Sequence, residues 1–157
     1  PSITIACFHC SNKEEINMAA DLVRLSCTSK GTTARASSTW KHDTRKFGPL
    51  NVLNNNSEDA WKSAQSEEND PLAYFEIDFH RPVQVSELRI QFQGGFVGMD
   101  CIVYQKSGDG TNDWEECEDL FVDPIDSNEV QTFESEADDS MSGKCSSLRI
   151  EFGRSTD

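Results

Sequence analysis

The sequence predicts an all-β sandwich. Tyr74 to Phe79, Leu88 to Phe92 and Leu148 to Phe152 each alternate apolar with polar residues, placing one side of each segment in a core and the other in water. From Thr32 onward the chain is cut into short segments by Gly, Pro, Asn and Asp clusters. Helical periodicity is scarce. Several half-buried strands with loop-rich gaps give antiparallel sheets that pack face to face.

Taken in order, residues 1–31 show no sustained period and read as a partly irregular N-terminal extension. Glu14 to Leu25 carries Ile16, Ala19, Ala20 and Val23 on one stripe, enough for two or three helical turns. The sandwich itself is expected over 32–157. Gly48-Pro49 forces a turn, after which Leu50, Val52 and Leu53 anchor the chain in the core. Asn54-Asn55-Asn56-Ser57 supplies caps for a compact turn, and Trp61 plugs the end of the sandwich. Phe75, Ile77 and Phe79 share one face, as do Leu88, Ile90 and Phe92, with Pro82 in the connection between them. Gly94-Gly95 lets the second of these strands exit sharply. Weaker strands are read at Ile102 to Gln105, Trp114 to Phe121 and Val130 to Phe133. Surface loops are expected at 106–113 and 134–144, and Leu148, Ile150 and Phe152 close the sheet.

Charge narrows the partners. The formal net charge is −14, and between Lys106 and Lys144 there are acidic residues but no Lys or Arg. An acidic flank on a near-neutral body is the wrong sign for a phosphate backbone, so nucleic acid and anionic membrane surfaces are excluded as partners. No apolar run reaches the roughly 20 residues that a spanning helix needs.

Six cysteines in 157 residues are a modest density, read as free, mostly buried thiols in a reducing compartment. Cys7 and Cys10 have the spacing of half a zinc site, with Cys27 the only obvious third ligand and no second close pair. Asn54, Asn56 and Asp59 form a candidate weak calcium site, where two amides replace carboxylates and lower the affinity. Otherwise no cofactor is expected.

The stretches Arg35-Ala36-Ser37-Ser38, Thr44-Arg45-Lys46-Phe47-Gly48, Val85-Ser86-Glu87-Leu88 and Ile90 to Phe96 resemble the galactose-binding-like (discoidin, F5/8C-type) superfamily. Gln131-Thr132-Phe133 and the closing Ser155-Thr156-Asp157 fit as well. Within that superfamily they are similar to small intracellular members associated with a nuclear receptor. The resemblance spans about residues 25–157 and is strongest over 35–96. It implies a jelly-roll interaction module without a catalytic set, one that dampens an orphan receptor's transcriptional activity. Other similar domains are subunits of ciliary transport and ubiquitin-ligase assemblies. The family pattern continues past the position of Asp157 with one more apolar strand, so an open sheet edge is expected there.

Enzyme chemistry is not expected. The three histidines, at 9, 42 and 80, lie in unrelated contexts, and no nucleophile elbow, phosphate loop or zinc-protease motif is present. The leading expectation is a protein-interaction subunit, cytoplasmic or nuclear, with a ciliary location as the further alternative. Its partner would be a nuclear receptor or a multi-subunit assembly. Trp40, His42, Arg45, Lys46, Arg89 and Phe96 are the candidate contact residues, because Arg and aromatic anchors dominate interface energies. The same groups suit the alternative, a lectin-like module binding glycan in the loops at one end.

Overall fold

The computed structural model describes residues 2–14, 21–54, 60–67, 70–136 and 144–156, and of residues 6, 7, 9, 12–14 and 21–23 the backbone only. Two antiparallel five-stranded sheets face one another. The first holds β1 (Thr4–Glu14), β2 (Asp21–Arg24), β4 (Trp61–Lys62), β6 (Glu87–Phe92) and β9 (Val130–Glu134), in the order β2-β1-β6-β9 with β4 against the start of β1. The second runs β3 (Thr33–Ala36), β5 (Ala73–Val83), β10 (Cys145–Ser155), β7 (Gly98–Ser107) and β8 (Glu115–Glu116). This is the expected sandwich, and the three alternating segments lie where the pattern put them. Ile77, Ile90 and Ile150 are all about 1% exposed or less.

Aromatic rings fill the space between the layers. Phe8 of the first sheet lies 4.9 Å from Phe75 of the second, and Phe92 meets the edge of Phe152 at 6.3 Å. Trp61 is fully buried between Phe75 and Phe152, plugging the end as its position in the sequence suggested. Gly98 begins β7 against this packing. A Cβ there would stand 2.3 Å from the Phe152 ring, which has no room to retreat. Gly98→Ala is therefore expected to cost about 2 kcal/mol through overpacking. The midpoint of urea unfolding measures it.

The N-terminal expectation is corrected. Residues 4–14 are an interior strand, paired with β6 on one side and with β4 and β2 on the other, so the sandwich does not begin at residue 32. A bulge between Ile5 and Cys7 shifts the phase of β1: Ile3 and Ile5 point inward before it, Phe8 and Cys10 after it. The helical turns expected over Glu14 to Leu25 fall partly on residues 15–20, outside the described residues; Glu14 and Asp21–Arg24 on either side are strand. Nor does an edge open beside the final strand. From Cys145 to Phe152, β10 is flanked by β5 and β7, because Leu148, Ile150 and Phe152 bury themselves in the middle of the sheet. Its end is tied down as well: Ser155 Oγ donates to the Ser2 carbonyl (2.7 Å) and Val97 N–H to Thr156 Oγ1 (3.0 Å).

The weaker strand readings fare unevenly. Ile102 to Gln105 lies within β7 and Val130 to Phe133 within β9, but of Trp114 to Phe121 only Glu115–Glu116 pairs as strand.

A cation held between two rings at one end of the sandwich

Four of the candidate contact residues, Trp40, His42, Arg45 and Lys46, are presented by the loop after β3. Its entry is pinned to β5 by the Ser37 N–H bonding the Tyr74 carbonyl (3.0 Å) and the Tyr74 N–H bonding Ser37 Oγ (3.1 Å). Ser38 is pinned next. Its carbonyl accepts the buried Trp61 indole N–H at 2.9 Å, and its hydroxyl accepts the Ala64 N–H at 3.0 Å. A tight turn over Trp40–His42 follows, with Lys41 and His42 at φ of 52° and 57°. Non-glycine residues hold this left-handed backbone only where the surroundings impose it.

One helical turn, α1 (Thr44–Phe47), completes the loop, with the Asp43 carboxylate accepting the Lys46 N–H at 3.1 Å. Gly48 ends that turn so closely that a Cβ would sit 2.2 Å from the Thr44 carbonyl oxygen. The Asn51 side-chain amide then spans the carbonyls of Arg45 (3.3 Å), Lys46 (3.0 Å) and Ala60 (3.3 Å), fastening α1 to the strand that carries Lys62.

Lys62 is the centre of the arrangement. Its ammonium lies 4.6 Å from the Trp40 ring centroid and 4.7 Å from that of Phe96, so residues 40, 62 and 96 meet around one charge. The start of β1 makes this possible. Thr4 pairs with Lys62 across the ladder, its N–H bonds the Phe96 carbonyl (2.9 Å), and its carbonyl accepts the Gln93 N–H (3.1 Å). Lys41 stands 5.8 Å from the Trp40 ring and Lys46 5.3 Å from Phe47. Within residues 37–48 and 60–64, Asp43 is the one carboxylate, and it is spent on the cap. The result is a basic, half-buried aromatic end on a protein of net charge −14.

Trp40, His42, Arg45, Lys46 and Phe96 are thus gathered at one end. Arg89 is not. It projects from the outer face of β6, its Nε 2.5 Å from the nearly buried Glu87 Oε1, a charge contact without hydrogen-bond alignment. Lys62 and Asn51, which organise the group, were missed. The available signal was Lys62 beside the core residue Trp61, which must face the opposite way on a strand. Of the calcium candidates, Asn54 is exposed where the turn after Val52 ends, and Asn56 and Asp59 lie outside the described residues.

The described cysteines are unbridged. Burial, reinforced by Cys145, holds the Cys10 thiol well above its ordinary value, and the side chain of Cys7 lies outside the described residues. Burial, then Asp100 and Asp123, pushes Cys101 up to about 12, and burial, then Cys117, does the same to Cys145. These thiols stay protonated at neutral pH, the inert rather than the nucleophilic form. No helix among the described residues is long and apolar enough to cross a membrane.

No protein-family model matches the chain. The human nuclear receptor 2C2-associated protein is 33% identical over 103 residues, covering 65% of this chain and 68% of that protein. The Xenopus laevis protein of the same name is 33% identical over 132 residues, 84% and 88% of the two chains. Among solved structures, an F5/8 type C domain from Bacteroides fragilis matches with a TM-score of 0.62 at 13% identity, covering 77% of this chain and 80% of that one. The family 32 CBM of C. perfringens NanJ, in complex with galactose, matches with a TM-score of 0.58 at 15% identity, covering 81% and 85%. Both have the fold described above.

Proposed function

Because the chain belongs to the family of nuclear receptor 2C2-associated proteins, we propose that it is a non-catalytic interaction module. It joins a nuclear receptor, or a larger assembly containing one, in the nucleus or cytoplasm. The observation that carries the contact site is the Lys62 ammonium lodged between Trp40 and Phe96, with Lys41, Arg45 and Lys46 around it. A clamped loop presenting a rigid aromatic beside one half-buried and three exposed cations is what an acidic, apolar-centred partner surface needs, because little ordering entropy is left to lose on binding.

The sugar-binding alternative is weaker on the same geometry. A pyranose stacks its C–H face on an exposed ring, and here an ammonium already stands 4.6 Å from the Trp40 centroid.

Calorimetric titration of the purified chain with purified nuclear receptor 2C2 tests the reading, with Trp40→Ala as the informative variant. Saturable binding is expected, weakened about tenfold or more by the substitution. Loss of the rim charge in Lys46→Gln should slow association and reduce its salt dependence. Galactose should leave tryptophan fluorescence unchanged. Absent receptor binding, or equal binding by Trp40→Ala, overturns the contact; saturable quenching by galactose replaces it with the lectin reading.

A further inference from the structure

We propose that the acidic groove beside β8, at the edge of the second sheet, is a docking site for a segment of a partner protein that interleaves Lys or Arg with apolar residues. It lies on a different part of the molecule from the Trp40 end and does not depend on receptor binding there.

The groove is built, not incidental. After β8 the chain runs extended, burying Leu120, Val122 and Pro124 while Phe121, Asp123 and Ile125 face outward. It is fastened at both ends of its approach: the Cys117 N–H bonds the Val103 carbonyl at 2.8 Å, and the Glu136 N–H bonds the Asp119 carbonyl at 2.7 Å. Between this segment and β7 lies a cleft of about 620 Å³, the size of an ordinary ligand site. Phe121 stands on its rim with 66% of its surface in water, and Ile102 on its floor with 38%. Two large apolar side chains exposed on one cleft, with carboxylates around them, form the kind of rimmed apolar patch that marks an interaction site.

Charge decides the occupant. The carboxylates of Asp100, Glu116, Glu118, Asp123 and Glu136 line the cleft, and no Lys, Arg or His does. Asp100 is answered by Arg154 at 2.5 Å, while the other four have no ion pair among the described residues. Burial chiefly, with Asp100 and Asp123 adding to it, keeps the Cys101 thiol in the same cleft protonated. Anionic partners are repelled. A bare polyvalent cation would satisfy the carboxylates and leave Phe121 and Ile102 uncovered. A basic segment with interleaved apolar residues satisfies both, its lysine stems lying along the rings and its ammoniums on the carboxylates.

The test uses the full chain and a labelled short peptide interleaving lysine with leucine, followed by fluorescence anisotropy. Saturable binding is expected, weakened about tenfold both by Phe121→Ser and by replacing the peptide's leucines with serine. The double variant Glu116→Gln, Asp123→Asn should weaken it and flatten its salt dependence, whereas the double variant Asp113→Asn, Glu129→Gln, which removes two exposed charges outside the cleft, should not. Phe121 is exposed, so thermal unfolding of Phe121→Ser should match the parent and show that the loss is not misfolding. The proposal is overturned if no binding occurs or if Phe121→Ser binds like the parent. It is also overturned if Asp113→Asn, Glu129→Gln is as damaging as the cleft double variant, which would mean diffuse adsorption to a polyanion. Sedimentation of the chain alone covers the remaining occupant: a dimer abolished by Phe121→Ser would assign the cleft to a second copy.

Discussion

Trp61→Ala should remove about 4 kcal/mol of stability, enough to unfold much of the population of a typical domain at physiological temperature. Trp61 is a residue of the first sheet whose ring lies 5.3 Å from Phe75 and 6.3 Å from Phe152, both on the second. Truncation leaves a cavity that neither layer can close alone, since each ring is held by its own strand. The indole N–H adds a second cost, because the Ser38 carbonyl then loses its 2.9 Å donor. Trp61→Phe separates the two effects. It keeps most of the apolar volume and should cost about 1–2 kcal/mol, but it frees Ser38 and loosens the loop that presents Trp40. Urea unfolding measures the stability, and acrylamide quenching in a Trp114→Phe background, where Trp40 is the indole that remains, reports the loop. A loss below about 1 kcal/mol for Trp61→Ala would contradict the central plug.

The second large effect is alkaline. In the folded protein Cys101 and Cys145 titrate near 12, against an ordinary thiol value of 9.0, with burial the leading cause in each. Cys10 is displaced in the same direction. Below pH 9 both folded and unfolded chains hold these protons and stability is unaffected. Between about 9 and 12 the unfolded chain releases protons that the folded one retains. The unfolded side is therefore favoured as pH rises, by roughly 1 kcal/mol per unit for each such thiol. The urea midpoint under reducing conditions should fall steeply from pH 8 to pH 10.5. The slope should be shallower in Cys101→Val, Cys145→Ala. An unchanged slope in that variant would mean that other groups carry the alkaline loss.

How far the sequence could be read depended on phase. Ile77, Ile90 and Ile150 sit in uninterrupted alternation, and a pattern of period two survives any tertiary context that buries one face. β1 is as apolar as its neighbours, yet the bulge after Ile5 moves its inward positions from odd to even numbers, so no single period fits it. The site was legible in its parts. Trp40 and Phe96 stand out as residue types, but their meeting with Lys62 depends on Thr4, which belongs to the very strand that hid. The acidic run was visible as charge. The inward alternation of Leu120, Val122 and Pro124 within it was not, since carboxylates surround those few apolar residues on both sides.

The place of β1 also governs how the molecule comes into being. Phe8 pairs with Ile90 and Ile77 with Leu148, so each sheet contains a central ladder whose partners lie roughly 70–80 positions apart in the chain. Such ladders cannot grow by zipping from a local hairpin. The entropy of closing long loops is spent before any contact repays it, which places this protein among the high-contact-order, millisecond-to-second folders. Until the second sheet arrives with Phe75, the greasy side of β1 has nothing to cover it, and that interval is when aggregation competes with the native route.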